Sequence, residues 1–145
     1  MYRFKLQSLL KHRRHQEEIC QKEMAEAQRD LTDAQEKLRR LKKDKRENIQ
    51  KLQARQKELH NASTIIMSIN YIEKLSSDLA AQMKQVGKAS EKVTQKRLNL
   101  IAIMKKRKTL EKLKEKDRLE YQQKMMQAER KINDEVAATR HIRKI

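Results

Sequence analysis

His12 and His15 stand three residues apart, a spacing that places both imidazoles on one turn of a helix and could hold a metal ion. The only further ligands within reach are Glu17 and Glu18, acids in a stretch crowded with cations, so ion pairing is the stronger reading of that cluster. Cys20 is the sole cysteine, which excludes an internal disulfide framework and fits a reducing compartment. With Met24 four residues on, it reads as a packing position and not as an activated thiol. Glu17-Glu18 and Asp134-Glu135 are paired carboxylates, the residue type for general acid–base work. Both pairs lie among cations and lack the apolar pocket that would drive their pKa values apart. Gly87 is the only glycine, so no phosphate-cradling loop exists. The sequence therefore predicts no catalytic, cofactor-binding or metal-binding residue, and a chain that works by binding and not as an enzyme.

The elements that carry these residues follow from composition and periodicity. In 145 residues, 39% are charged and 3% aromatic, with no proline and no tryptophan. That is too little large apolar surface to enclose a globular core, and it matches long helices or coiled coils. From Leu6 an alternating three- and four-residue spacing visits Leu10, Arg13, Glu17, Cys20, Met24, Ala27, Leu31, Ala34, Leu38, Leu41, Lys45, Asn48, Leu52, Arg55 and Leu59. A second frame starts at Ile65 and reads Ile69, Ile72, Ser76, Leu79, Met83, Val86, Ser90, Val93, Arg97, Leu100 and Met104. It slips at Leu110 and Leu113 and resumes at Tyr121, Met125, Ala128, Ile132 and Ile142.

The only loop-like cluster between the frames is His60-Asn61-Ala62-Ser63-Thr64, where Asn or Ser can cap a new helix. The expected fold is all-α: two long helices forming an antiparallel coiled-coil hairpin over 1–145. Helix one spans about 3–60, the turn about 61–64 and helix two about 65–143. Folding there sets Leu52 against Ile72, Leu41 against Met83, Leu31 against Val93 and Met24 against Leu100. Glu17 then faces Arg107 and Arg13 faces Glu111. Asn70-Tyr71-Ile72-Glu73 resembles a capping box, so a later turn stays open. The second helix is the longer, and about its last 20 residues overhang as a basic, Met-rich helix that is marginal alone in water.

A net charge of +17 implies an acidic partner. The cations gather in Arg39-Arg40, Lys42-Lys43 and Lys45-Arg46, in Lys105 to Lys108, and in Arg140, Arg143 and Lys144. Interleaved aromatics for base stacking are missing, so no specific nucleic acid is expected. No segment approaches a transmembrane span, and the N-terminus is not a signal peptide. Apolar residues off the seam are the sharper sign of protein docking: Phe4, Leu9, Ile66, Tyr71, Leu75 and Met126.

The opening Tyr2-Arg3-Phe4-Lys5-Leu6-Gln7-Ser8-Leu9-Leu10, followed by Arg13-Arg14 and Glu17-Glu18, resembles the start of the flagellar export FliJ family. Leu110-Glu-Lys-Leu-Lys-Glu-Lys with Tyr121, and the closing Asp134-Glu135, are similar to its second helix. The resemblance implies a cytoplasmic component of the flagellar type III export apparatus, peripheral at the inner face of the cell membrane and like the central stalk of rotary ATPases. Its implied partners are the hexameric export ATPase FliI, the export gate protein FlhA and export chaperones, and no cofactor. It implies ATPase-binding residues among Phe4, Leu6, Leu9, Tyr121, Met125, Met126, Ile132 and Arg140. It implies gate-binding residues among Leu41, Asn48, Ile72 and Leu75, although Asp44 and Asn48 stand where some relatives carry aromatics. The stalk protein of virulence type III secretion, or a basic coiled-coil scaffold, are the alternatives.

Overall fold

Two helices account for most of the described residues in a computed structural model that describes residues 1–58 and 61–145. Helix α1 spans Gln7–Lys57 and α2 spans Ala62–Lys144. They pack against each other as an antiparallel helical hairpin with the second helix longer, as the periodicity predicts. Leu59 and His60, a seam position and a turn residue of the sequence reading, lie outside the described residues.

Helix α2 starts where Asn61 caps it. The Asn61 side-chain carbonyl accepts from the Ser63 amide at 3.3 Å, and its backbone carbonyl accepts from Thr64 and Ile65. That satisfies amides which the first turn of a helix leaves free. Asn70 to Glu73 lie inside α2, so the later turn is excluded. Helix α1 starts at Gln7, later than the sequence suggests. The reason is local: the Gln7 amide donates to the Phe4 carbonyl at 3.2 Å, and Phe4 folds inward to 8% exposure.

The chain divides into two compact units: unit 1 comprises 1–18 and 101–145, and unit 2 comprises 19–100. In unit 2 the α1 residues withdrawn from solvent include Cys20, Met24, Ala27, Leu31, Ala34, Leu38, Leu41, Lys45, Asn48, Leu52 and Arg55. All belong to the frame read from sequence. On α2 the frame is corrected. Ile65, Ser68, Ile72, Leu75, Leu79, Gln82, Val86, Ala89, Val93, Lys96 and Leu100 face inward, while Ile69, Met83, Ser90 and Arg97 are exposed. The expected positions Ile69, Met83, Ser90 and Arg97 are therefore each displaced by one residue, whereas Ser76 and Met104 are half-buried as expected, beside Leu75 and Ile103.

Polar partners explain the displacement. The Gln82 side-chain amide donates to the Ala34 carbonyl at 2.9 Å, Lys96 pairs with Glu23 at 3.0 Å, and Arg55 donates to the Ser68 hydroxyl at 2.7 Å. Each of these three inward polar groups has a partner, which offsets the cost of withdrawing it from water. In unit 1 the same α2 frame continues through Ile103, Arg107, Leu110, Lys114, Asp117 and Tyr121. Leu110 is on the seam and Leu113 is 43% exposed, so no slip occurs.

Candidate protein-docking sites

Unit 1 is organised by a four-residue charge network. Arg107 Nε faces Glu17 Oε2 as an ion pair, and Arg107 Nη1 donates to Glu111 at 2.9 Å. Arg14 reaches the other Glu111 oxygen at 3.4 Å. The expected pairing of Glu17 with Arg107 is present; the expected pairing of Arg13 with Glu111 is replaced by Arg14, and Arg13 donates to Gln16 instead. Arg107 and then Arg14 hold the Glu111 carboxyl below its ordinary pKa, while Glu111 and then Glu17 raise that of Arg107. Glu17 is 8% exposed, so its carboxylate is withdrawn from water and offset by the Arg107 guanidinium.

Tyr2, the first residue of the opening motif but not among its expected contact residues, anchors the first residues. Its hydroxyl donates to Asp117 at 3.0 Å, and its ring tilts against Tyr121 with centroids 5.5 Å apart. Loss of solvation, then the Asp117 bond, raises its pKa. A tyrosine two residues before Phe4 was the available signal.

Beyond Tyr121, every residue from 122 to 145 is exposed, although α2 continues to Lys144. Met125 is 47% exposed, Met126 52%, Ile132 59%, Val136 45% and Ile142 70%. Tyr121, Met125, Ala128, Ile132 and Val136 follow one another at four- and three-residue steps, so they share a face that carries the seam onward with nothing upon it. Arg140, Arg143 and Lys144 close the helix as exposed cations. Of the residues implied for ATPase binding, Leu6 and Leu9 are 39% and 38% exposed, and Arg140 is exposed. Tyr121 is half-buried and Phe4 is buried, so Phe4 acts through packing and presents little surface.

In unit 2, Leu41, Asn48 and Ile72 are half-buried and Leu75 is 5% exposed. The Asn48 amide donates to the Asp44 carbonyl at 2.7 Å. Leu75 is thus core in its unit, while Ile66, Met67 and Tyr71 are open at 57%, 71% and 47%. Met67 and Leu98, the latter 61% exposed, were not singled out from sequence because one apolar residue in a polar helix carries no period.

Cys20 is a half-buried free thiol. His15 lies 4.0 Å from Glu18, and among the described residues no three His, Cys, Asp or Glu side chains gather where they could hold a metal ion. The grooves between helices are shallow and open, lined in one place by Leu9, Arg13, Lys105, Lys106, Thr109 and Leu110. Among the described residues, no helix is long and apolar enough to cross a membrane.

The family model described as flagellar FliJ protein matches residues 2–145. The chain belongs to the FliJ family. That makes it a relative of non-enzymatic components of flagellar protein export. A solved structure described as a YscO homolog, CT670 from Chlamydia trachomatis, shares the fold with a TM-score of 0.58. The two are 22% identical over 97% of this chain and 96% of the other. No curated protein matches.

Proposed function

We propose that this FliJ-family chain is the central-stalk-like protein of a flagellar type III export apparatus, in which the 122–145 segment of α2 enters and organises the hexameric export ATPase. The observation that carries this reading is the helix after Tyr121, exposed at every residue, with an apolar stripe at Met125, Ile132 and Val136 and a cationic end. A lone helix of that composition is marginal in water, so its apolar stripe favours a partner that surrounds it. A cationic end is drawn to an acidic ring lumen at long range. Leu6, Leu9, Tyr121, Met125, Met126, Ile132 and Arg140 are the contact residues in this reading, with Phe4 holding the first residues in place from inside.

The same reading assigns the edges of Leu41, Asn48 and Ile72, underpinned by Leu75, to the export gate protein FlhA, and gives the chain an escort role for export chaperones. It places the protein in the cytoplasm, against the inner face of the membrane where the gate lies. The stalk assignment is tested by ATP hydrolysis and ring assembly of the cognate export ATPase with the full chain and with a chain ending at Tyr121. Stimulation by the first and none by the second supports it. No stimulation by the folded full chain sinks it and leaves a scaffold role.

A further inference from the structure

The cations of unit 1 fall into two populations. Arg14 and Arg107 are neutralised by Glu17 and Glu111, and Arg118 by Glu115 at 2.7 Å. Most of the others have no ion pair among the described residues, Arg13, Lys105 and Lys106 among them, and Arg13 donates only to the neutral Gln16. Those three rim one groove, whose remaining lining is Leu9, Thr109 and Leu110. Leu9 is 38% exposed although a solvated helix face has no need of it. Leu6, 39% exposed, and Leu113, 43% exposed, extend the apolar rows along α1 and α2 at three-residue steps from Leu9 and Leu110.

We propose that this groove is a docking site for an acidic amphipathic helix of a partner protein, seated with its apolar stripe on Leu9 and Leu110 and its carboxylates on Arg13, Lys105 and Lys106. An apolar floor between cationic borders is the complement of a helix with leucines along one stripe and Asp or Glu on both flanks. The alternatives fit less well. A second copy of the chain would bring another +17 to the same surface. A nucleic acid would press phosphates on an apolar floor that offers no aromatic ring for stacking. Residues 122–145 line no part of the site, although its Leu9 also belongs to the contact set of the stalk reading.

The test is fluorescence anisotropy of a labelled, hydrocarbon-stapled helical peptide, with leucine along one stripe and glutamate on both borders, titrated with the full chain at physiological salt. Lys105→Glu/Lys106→Glu changes only exposed residues, and it weakens binding by about tenfold or more, the effect of losing one to two interfacial hot spots. Leu9→Gln weakens it comparably. Lys88→Glu/Lys92→Glu, an equal charge change on exposed residues of unit 2, changes affinity less than about twofold. Equal loss with both charge pairs, or full binding by Leu9→Gln, overturns the proposal in favour of non-specific attraction. A peptide that does not bind, with phosphatidylglycerol vesicles that do and lose binding in Lys105→Glu/Lys106→Glu, overturns it in favour of a membrane surface. No ATPase is present in the titration, so its outcome is separate from that of the stalk reading.

Discussion

Replacing Arg107 by alanine strikes the one cluster in unit 1 where charge is both withdrawn from water and paired. The Arg107 side chain is 20% exposed and that of Glu17 is 11%. Without Arg107, Glu17 keeps its desolvation cost and loses its partner, and Glu111 keeps only Arg14, 3.4 Å away. Breaking a fully buried pair costs about 3–5 kcal/mol; scaling for the remaining exposure gives about 2–3 kcal/mol for Arg107→Ala. The double variant Glu17→Leu/Arg107→Leu removes both charges and leaves apolar surface on the seam, so it should lie within about 1 kcal/mol of the parent or above it. Urea unfolding followed by circular dichroism reads both, with an unchanged denaturant slope as the sign that stability alone moved. The reasoning is refuted if Arg107→Ala costs less than about 0.5 kcal/mol, or if the double variant loses as much as the single.

The same cluster sets an acid limit. Because Arg107 lowers the folded pKa of Glu111 from 4.5, its contribution is present above 4.5 and fades as pH falls through the lowered value. Arg107→Ala should therefore lose less stability on acidification than the parent, as melting curves between neutral and acid pH will show. Glu36, bonded to Arg39 at 2.6 Å and held at about 2, should titrate near 2 by NMR and return toward 4.5 in Arg39→Ala. Its effect on stability lies in that window, present above 4.5 and lost toward 2. Gln82→Leu removes a donor from the Ala34 carbonyl, which retains its place in the helix ladder; the change should be neutral within about 1 kcal/mol or stabilising by thermal melt. Tyr2→Phe loses the bonds to Asp117 and to the Lys114 carbonyl while keeping the Tyr121 ring contact, and should lower the midpoint of urea unfolding slightly with an unchanged slope.

How much of this was legible in the sequence depends on what sets each position. On α1 the inward residues are mostly the apolar ones, so spacing alone located Leu10, Ala27, Leu31 and Leu41. On α2 the reading chose Ile69, Met83 and Arg97 where the structure buries or half-buries Ser68, Gln82 and Lys96. Periodicity ranks residues by apolarity, whereas a polar side chain goes inside when a facing carbonyl, hydroxyl or carboxylate satisfies it. That information sits on the other helix, and only correct pairing reveals it. Leu110 broke the expected pattern because the frame before it was one residue off. The pairing of Glu17 with Arg107 was legible because opposite charges at facing seam positions identify each other. The inward fold of Phe4 was not, since an apolar residue before a helix reads equally as a docking side chain. The overhang after Tyr121 followed from unequal frame lengths, and its exposed stripe from the recurrence of Met125, Ile132 and Val136.

The central claim, that the helix after Tyr121 meets the export ATPase, is tested most directly by a photo-crosslinking residue placed at Ile132 and, separately, at Gly87. Gly87 is exposed, and a side-chain carbon added there would meet nothing within 4 Å, so a probe disturbs no packing. Irradiation in cells that assemble flagella should join the Ile132 probe to the ATPase and leave the Gly87 probe free of it. A crosslink to the ATPase from Gly87 alone, or from neither position in a folded and functional chain, would contradict the account.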